Sequence, residues 1–501
     1  MFKIVLLFVF FIVCLPARGE NVVLILMDDM GYGYLKANLE SQDKKISPDI
    51  LKRDGDNFPY EKVATQFTKA MPTLNSMVDN GVHFTDAYTT SPLCGPSRLS
   101  ILTGKNNASF GIYNNIDVNQ TGLPKDIIWP VETLSSHYYS VAIGKWHARS
   151  NRYDLGDDPI TAGFDEFYGF VGHGTPYYES DKIHRYNPSS KVFDKVTQAP
   201  GEYLTEVFTD ETLAAINKHT FNKPLFVYLS YNAIHGPLGK EAPKKYSSKF
   251  KTGNDNVDTI LSYLNAVDEG IKNIQAELKA KGELENTVFM FLADNGSPGG
   301  KSFAYPSNSP FAGFKGQILH GGLRVPMIAY QKGKTTGTVY QNPVSSMDLM
   351  ATVMDYAGMP PESNGLHGRS LMNVIKGSTS VVVHKNIFVV GQNAVNFSYI
   401  KPDGESDRKL APGSWLVRNK KWVLLYTADD QYLETGIRSG DNYEHYGLYK
   451  ASDVHLTTNL YDKKPNLANR MKEDFFEWFE ANKAEPVKTA EHPWWEEVHE
   501  H

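Results

Sequence analysis

Two pairs of oxygen-bearing side chains follow apolar segments of this sequence. Asp28 and Asp29 come after the run NVVLILM, and Asp294 and Asn295 come after TVFMFLA. Hard divalent cations, calcium above all, bind several carboxylate and carbonyl oxygens that converge on one point. No cluster of cysteines and histidines in the sequence has the spacing of a zinc site. A single aspartate at a strand end is more often a helix cap or a turn residue, but the two pairs together predict a calcium site.

A second group of candidate residues lies in the segment SPLCGPSRLSILTGK, residues 91–105. Pro96 suits the first turn of a helix that begins near Cys94. The start of such a helix directs backbone N–H groups and the positive end of the helix dipole toward Cys94, and Arg98 adds a positive charge. A buried lone cysteine is more often a small apolar core residue than a reactive group, so its neighbours decide the interpretation.

Basic and histidine side chains in other loops complete a candidate anion site. They are Lys145, His147, His235 and Lys315. Each of them alone is explained equally well as a surface or loop residue. Together with Arg98 they predict a pocket for a sulfate or phosphate group beside the predicted metal site.

The elements that must position these residues alternate between strands and helices. Apolar runs at 21–31, 82–87, 139–147, 223–237 and 286–296 predict strands, most of them buried and parallel. The segments 71–80, closed by a glycine, and 255–281 predict helices. This alternation predicts a doubly wound α/β domain. In such a domain ligands gather at the C-terminal ends of the strands, where the candidate residues fall.

From about residue 384 the pattern changes to that of an antiparallel α+β unit. The segments 386–393, 413–427 and 455–462 predict antiparallel strands, and 466–483 predicts an amphipathic helix. We therefore predict a signal peptide at 1–19, a catalytic α/β domain at 20–383 and a smaller α+β domain at 384–501.

The first nineteen residues have the composition of a secretory signal. Lys3 precedes an apolar run at 4–15, and Ala-Arg-Gly ends at Gly19 as a small-x-small cleavage site. The run is shorter than the ~20 residues that span a bilayer, which disfavours an anchor. A lipoprotein signal at Cys14 is an alternative, but the residue before Cys14 is bulkier than such signals have. We predict a secreted or periplasmic protein in which Cys94 is the single cysteine.

The bulk composition excludes other classes of protein. With 501 residues and 41% hydrophobic content the chain can bury a large core and form two domains. The net charge of −6 and the absence of a basic cluster predict no nucleic-acid partner. No segment after the signal is long and apolar enough to span a membrane, so we predict no stable membrane association.

The cysteine segment resembles the signature of the type I sulfatases, C-x-P-S-R followed by Thr-Gly and a basic residue. The segments LILMDDMGYG, GKWH, NAIHGPL, FLADNG and FKGQILHGGLRVPMIA extend the resemblance along most of the chain. The resemblance implies the alkaline phosphatase-like fold, a large doubly wound mixed sheet flanked by helices. It also implies that a formylglycine-generating maturation enzyme converts Cys94 to formylglycine (3-oxoalanine), whose hydrated aldehyde is the nucleophile of that family.

The resemblance further implies a role for each candidate residue. Calcium would be held by the oxygen pairs and by the modified residue, that is, by Asp28, Asp29, residue 94, Asp294 and Asn295. Arg98 would hold the formylglycine diol, while Lys145 and Lys315 would bind the sulfate oxygens. His147 would help to release sulfate, and His235 would protonate or hold the oxygen of the leaving alcohol.

The implied activity is hydrolysis of O-sulfate esters of a carbohydrate. The resemblance favours a polysaccharide degrader over a lysosomal type of enzyme, because the chain lacks the cysteine pairs that are common in animal lysosomal relatives. Three alternatives stay open: a phosphoesterase or phosphonate hydrolase of the same superfamily, an aryl sulfatase acting on small substrates, and an unmodified protein that only binds sulfated glycans.

Substrate specificity is expected in loops outside the shared residues. The segment 169–186 offers His173, Tyr177, His184 and Arg185, and 431–449 is similarly rich in Tyr, His and Arg. Such side chains stack on sugars and pair with sulfate groups, although an ordinary polar loop explains each of them as well.

Overall fold

The computed structural model describes residues 19–40, 59–115, 128–148, 158–238, 242–299, 306–391, 399–400, 406–407, 413–427 and 445–484. The predicted signal peptide up to residue 18, the alternative signal at Cys14, and most of the predicted specificity segment 431–449 lie outside these residues. Within them, no helix has both the length and the hydropathy of a membrane span.

The strands and helices alternate along the large domain and then give way to consecutive strands. The strands are β1 Asn21–Met27, β2 Val82–Phe84, β3 Ala87–Tyr88, β4 Tyr139–Lys145, β5 Glu166–Phe170, β6 His184–Asn187, β7 Val192–Lys195, β8 Leu225–Ser230, β9 Thr287–Ala293, β10 Met327–Gln331, β11 Thr338–Tyr340, β12 Val344–Ser345, β13 Asn386–Val390, β14 Tyr399–Ile400, β15 Ser406–Asp407, β16 Ser414–Asn419, β17 Trp422–Thr427 and β18 His445–Lys450. The helices are α1 Lys36–Glu40, α2 Tyr60–Ala70, α3 Pro72–Asn80, α4 Cys94–Thr103, α5 Pro130–Leu134, α6 Leu204–Lys218, α7 Lys244–Ser247, α8 Asp255–Ala280, α9 His320–Leu323, α10 Asp348–Tyr356, α11 Met372–Ile375 and α12 Pro465–Asn482.

A ten-stranded mixed sheet forms the centre of the large domain, in the order β11-β2-β10-β9-β1-β8-β4-β5-β6-β7. The strands β9, β1, β8, β4 and β5 are parallel neighbours, and β10, β6 and β7 add antiparallel strands on either side. The carboxyl ends of the parallel strands therefore meet at one edge of the sheet, as the α/β prediction requires. The predicted fold class is confirmed.

Strand β1 separates two hydrophobic cores. Its residues Val23 and Ile25 face a core that includes the long helix α8. Val22 and Leu24 face a second core, which includes residues of α4 and α10. Because successive side chains of a strand point to opposite faces, a strand covered on both faces is apolar throughout, which explains the uninterrupted apolar run that predicts β1.

The C-terminal part forms a four-stranded antiparallel sheet in the order β13-β16-β17-β18. Helix α12 packs on it, with the rings of Phe475 and Trp415 stacked at a centroid distance of 4.1 Å. The strand predicted at 455–462 is wrong: this segment forms turns, and the sheet instead uses β18. Polar side chains explain the difference, because the Asp453 carboxylate accepts the backbone N–H groups of Thr457 and Thr458, which a strand would need for its ladder.

The small sheet is bonded directly to the segment that leads to Cys94. The backbone N–H of Val390 donates to the carbonyl of Thr90 (3.3 Å). The Arg418 guanidinium in β16 also lies 2.5 Å from the Asp86 carboxylate of the large domain. The C-terminal sheet therefore supports the loop that carries the cysteine.

The domain boundary predicted between residues 383 and 384 stays a prediction.

Strands β4 and β8 can lie at their observed distance because Gly144 has no side chain. The variant Gly144→Ala tests this requirement. A Cβ atom there would lie 1.9 Å from the carbonyl oxygen of Ser230, and φ is +99°. We expect a loss of ~1–3 kcal/mol of stability from overpacking, seen as a lower melting temperature, and lower activity because Lys145 is the next residue. The matched control is Gly201→Ala, which shares a positive φ (+82°) but has no atom within 4 Å of its Cβ. Equal losses in the two variants would show that backbone strain and not the close approach is responsible.

Candidate active site

The predicted site residues meet at the carboxyl ends of four adjacent strands. Asp28 follows β1, Asp294 follows β9, Lys145 ends β4, and the loop that carries His235 follows β8. Backbone hydrogen bonds continue past the strand ends: Asp294 N–H donates to Met27 O (3.0 Å) and Asp28 N–H to Ala233 O (2.9 Å). The side chains are therefore positioned by the sheet itself and not by flexible loops.

Cys94 begins helix α4 and points at the two aspartates that follow β1. Its Sγ lies 3.7 Å from Asp28 Oδ1 and 3.8 Å from Asp29 Oδ1. The side chain is 1% exposed, and burial raises the pKa of the thiol to about 12. An intact thiol is thus protonated at neutral pH and is a weak nucleophile.

The guanidinium of Arg98 lies fully buried beneath this cluster and contacts the end of each of the four strands. Nε donates to Asp294 Oδ2 (2.8 Å) after β9, and Nη1 donates to Lys145 O (3.0 Å) in β4 and to Ser230 Oγ (2.6 Å) in β8. Nη2 lies 3.6 Å from Asp28 Oδ1 after β1. Among the described residues Nη2 has no hydrogen-bond partner, so this group has a donor left for a further oxygen.

Three carboxylates and three basic side chains pair one to one. Besides the pair formed by Arg98, Lys145 Nζ lies 2.7 Å from Asp28 Oδ2, and Lys315 Nζ lies 2.7 Å from Asp29 Oδ1. Burial alone would raise the pKa of Asp28, but Lys145, His235 and Arg98 hold it below its usual value. Burial would lower the pKa of Lys315, yet Cys94 and the aspartates raise it well above its usual value. The Asp28 carboxylate and the Lys315 ammonium are therefore charged at neutral pH.

The donor set fits a hard divalent cation. The candidate ligand atoms of Asp28, Asp29, Cys94 and Asp294 all lie within 4.8 Å of one another. Asn295 Nδ2 donates to Asp29 Oδ1 (2.7 Å), while its buried Oδ1 has no hydrogen-bond partner among the described residues. An amide oxygen with no hydrogen bond from these residues would be a suitable further ligand for a cation.

Two histidines line the same site with different environments. His147 is buried, and neither ring nitrogen has a hydrogen-bond partner in the described part of the chain. Burial and the nearby Lys145 and Arg98 hold its pKa well below the usual value, so the ring is neutral. His235 Nδ1 donates to the carbonyl of Gly236 (2.7 Å), and its Nε2 lies 3.9 Å from Asp29 Oδ2. Because Nδ1 donates to Gly236, Nε2 is the ring nitrogen of His235 that faces the site.

The four predicted substrate-binding residues lie in different surroundings. His173 is exposed, and its ring centroid lies 6.3 Å from that of His147. Tyr177 is buried, and its hydroxyl donates to the carbonyls of Asn232 and His235 (3.0 Å each), which supports a role in positioning the His235 loop. His184 begins β6, at the same end of the sheet.

Arg185, the fourth of these residues, is engaged by the protein itself. Its guanidinium lies 2.5 Å from the Glu211 carboxylate and 4.5 Å from the centroid of the Tyr168 ring. A sulfate group would have to compete with that ion pair. Of the four residues, the geometry thus places His173 beside the anion site.

The start of helix α4 differs from the sequence-based expectation. The Gly95 N–H donates to Asn115 Oδ1 (2.9 Å), the Ser97 N–H donates to Leu93 O (3.1 Å), and Pro96 has no N–H. These amides are already bonded, so anion binding at this site would depend on the basic side chains. Asn115 and Ser230 are absent from the sequence-based set, because no local pattern links Asn115 to a helix that begins 21 residues earlier.

Asn115 should therefore position Cys94 through the bond to the next residue, Gly95. We expect Asn115→Ala to lower kcat for a sulfate ester roughly tenfold or more, because small displacements of a reacting group are costly, and to lower stability by about 1 kcal/mol, as for a lost helix cap. Asn115→Asp keeps the acceptor but adds a negative charge near the anion site, and should raise KM. The neighbouring Asn114→Ala serves as the control. Unchanged kcat and KM in Asn115→Ala would contradict this role.

Comparison with known proteins gives the family. The sequence model of the family described as Sulfatase matches residues 20–359. The chain is 30% identical over 493 residues to the uncharacterized sulfatase YdeN of Escherichia coli (strain K12), covering 90% of this chain and 84% of that protein. It is 28% identical over 390 residues to the N-acetylgalactosamine-6-sulfatase of Mus musculus, covering 72% and 67% of the two chains.

Solved structures agree with this fold. The crystal structure of Ps i-CgsB in complex with k-i-k-neocarrahexaose superposes with a TM-score of 0.73 at 23% identity, covering 96% of this chain and 98% of that one. The family match over residues 20–359 and the 30% identity along most of the YdeN chain lead to one conclusion. The chain belongs to the sulfatase family and is, by that membership, a sulfuric ester hydrolase.

Proposed function

We propose that the protein is an exported sulfatase that hydrolyses O-sulfate esters of a poly- or oligosaccharide, with calcium and a formylglycine at position 94. The observation that carries the proposal is the position of Cys94, which is buried against Asp28 and Asp29 within a ring of three basic side chains. The N-acetylgalactosamine-6-sulfatase of Mus musculus and the carbohydrate complex of Ps i-CgsB support a sugar as the substrate.

The environment of Cys94 favours a modified residue over a thiol nucleophile. The raised pKa leaves the thiol protonated at neutral pH. Nη2 of Arg98, which has no hydrogen-bond partner among the described residues, is a donor suited to an added oxygen. As formylglycine, residue 94 supplies a hydrated aldehyde, of which one oxygen attacks sulfur and the other expels sulfate as the aldehyde re-forms. Its maturation requires a formylglycine-generating enzyme as a partner.

The basic residues orient the sulfate group. Lys145 and Lys315 carry ammonium groups next to Cys94, and their charges would stabilise the oxygens of the group being transferred. Calcium, when held by Asp28, Asp29, Asp294, Asn295 and residue 94, supplies further positive charge at those oxygens. The array of three carboxylates and three basic groups is formally neutral, so a dication would make the site attractive to an anion.

The two histidines handle protons. His235 lies at the more exposed side of the site, with a 23% exposed side chain, where it can hold or protonate the oxygen of the leaving alcohol. His147 is neutral and buried, and it can accept the proton from the hydroxyl that expels sulfate. His147 has both ring nitrogens without a hydrogen-bond partner among the described residues, and His235 has Nε2 directed toward the site.

Desulfation of a panel of sulfated algal and animal oligosaccharides, read by mass spectrometry, tests the function. We expect loss of sulfate with the mature wild-type protein and no turnover with Cys94→Ala, which should still fold because the change is small. The peptide that contains Cys94 should carry an aldehyde in place of the thiol and react with hydrazides. Faster cleavage of a phosphate ester than of the matching sulfate ester, or full activity with an intact thiol, would contradict the proposal.

Calcium dependence gives a second test. Asp294→Ala removes a ligand and also the partner of Arg98, so we expect loss of bound calcium and of nearly all activity. Chelation of the wild type should abolish activity and lower the melting temperature, and calcium should restore both, since a ligand that binds the folded state stabilises it. The control is Asp79→Ala, at an exposed aspartate in α3. Full activity after exhaustive chelation would exclude a metal requirement.

A further inference from the structure

An exposed aromatic ring stands next to the sulfate-binding residues. In the part of the chain that the structure describes, the exposed large apolar side chains are Ile128, Val192, Phe314, Val339, Val381 and Val382. Phe314 is the one aromatic residue in this group, and it is 40% exposed. Isolated apolar residues on a surface need no explanation by themselves, so the position of this ring decides its meaning.

Phe314 belongs to a short turn that joins two parts of the active site. The N–H of Lys315 donates to Ser297 O (3.1 Å), just beyond the metal-binding end of β9, and the N–H of Gly316 donates to Pro92 O (2.9 Å), just before Cys94. The Phe314 N–H itself donates to Gln317 Oε1 (3.1 Å). The turn is therefore held at both ends, and Lys315 reaches inward to Asp29.

The ring of Phe314 rests on a glycine. A Cβ atom on Gly299 would lie 3.0 Å from two ring carbons of Phe314 and 3.3 Å from a third. The ring thus packs closely on backbone that carries no side chain, while a large fraction of its surface stays open. A ring supported in this way loses little conformational freedom when a ligand covers it.

We propose that Phe314 is a stacking surface for a pyranose ring of the sulfated carbohydrate, the ring that carries the scissile sulfate or the one linked to it. Pyranoses have apolar C–H faces that pack on aromatic rings, and phenylalanine offers such a surface without a hydroxyl that would need a partner. Phe314 directly precedes Lys315, and the proposal requires that a sugar whose sulfate contacts Lys315 reach the ring. The inference rests on the proposed function and adds a specificity-determining residue to it.

This position predicts an effect on substrate binding and not on sulfate transfer. The ring has no polar atom and does not contact the carboxylates, so it interacts with the sugar equally in the ground state and the transition state. Loss of such uniform binding raises KM and leaves kcat unchanged. A side chain that merely held the turn in place would instead move Lys315 and lower kcat.

The test compares variants on the oligosaccharide of the panel that the wild type desulfates best. Phe314→Ala should raise KM about tenfold with kcat kept within about twofold. Phe314→Tyr keeps the ring and should stay close to wild type. Inhibition by inorganic sulfate, which has no sugar, should be equal in all variants. Val339→Ala, at an exposed residue in the edge strand β11, is the control for loss of surface apolar area.

The outcomes separate this inference from the proposed function. If the wild type desulfates the oligosaccharide and Phe314→Ala has an unchanged KM, the stacking role is wrong while the proposed function stands. A fall in kcat together with weaker inhibition by sulfate would show that the residue only supports the turn, and would also overturn it. If the wild type hydrolyses small aryl sulfates but none of the oligosaccharides, the carbohydrate function fails and the stacking role fails with it.

Discussion

The buried guanidinium of Arg98 is the interaction on which the rest of the site depends. It contacts the ends of β9, β1, β8 and β4 in one plane of donors. A charge without solvent is tolerated only when it is paired and hydrogen-bonded, so the four strand ends must stay in register around it. The guanidinium of arginine spreads its donors over three nitrogens in a fixed plane, whereas lysine has all its donors on one nitrogen. Helix α4 is thereby bonded to the sheet through the same residue that organises the carboxylates.

Electrostatic balance follows from this arrangement. Asp28, Asp29 and Asp294 would repel one another if they were left alone at the end of a buried sheet. Lys145, Lys315 and Arg98 offset these charges pair by pair, and the folded protein tolerates a dense set of ionised groups without exposing them. The candidate ligand atoms of the three aspartates also lie within 4.8 Å of one another, as binding of a shared cation requires.

The sequence predicts the centre of this molecule better than its edges. Strands β1, β4, β8 and β9 are covered on both faces and read as apolar runs, and the ligand-type residues at their ends can be located from those runs. Strands β6 and β7 form an exposed hairpin with a polar pattern, so the segment around His184 reads as a loop. The segment 455–462 has the residue pattern of a strand, but it forms turns. The Asp453 carboxylate accepts the N–H groups of Thr457 and Thr458, and the residue pattern alone does not reveal these bonds.

Contacts between segments that are distant in the chain could not be predicted from local sequence patterns. Burial of Tyr177 beneath the His235 loop and the ion pair of Arg185 with Glu211 both arise from packing of α6 and its neighbours against the sheet. The type of a residue can suggest that it binds a sugar. It does not show whether the side chain is already hydrogen-bonded or ion-paired to another part of the protein. The same holds for Asn115, whose partner is set by the three-dimensional path of the chain.

Complete burial of helix α4 has a consequence for the order of events in biosynthesis. Each of its ten residues is buried, including the cysteine at its first position, so a separate enzyme has no access to that side chain once the large domain has closed. Under the proposed function, oxidation of the cysteine must come before folding, while the segment is still extended. Folding and maturation are then in kinetic competition. A chain that closes too early would be correctly folded and permanently inactive, and its yield of active enzyme would depend on the rate of folding as much as on stability.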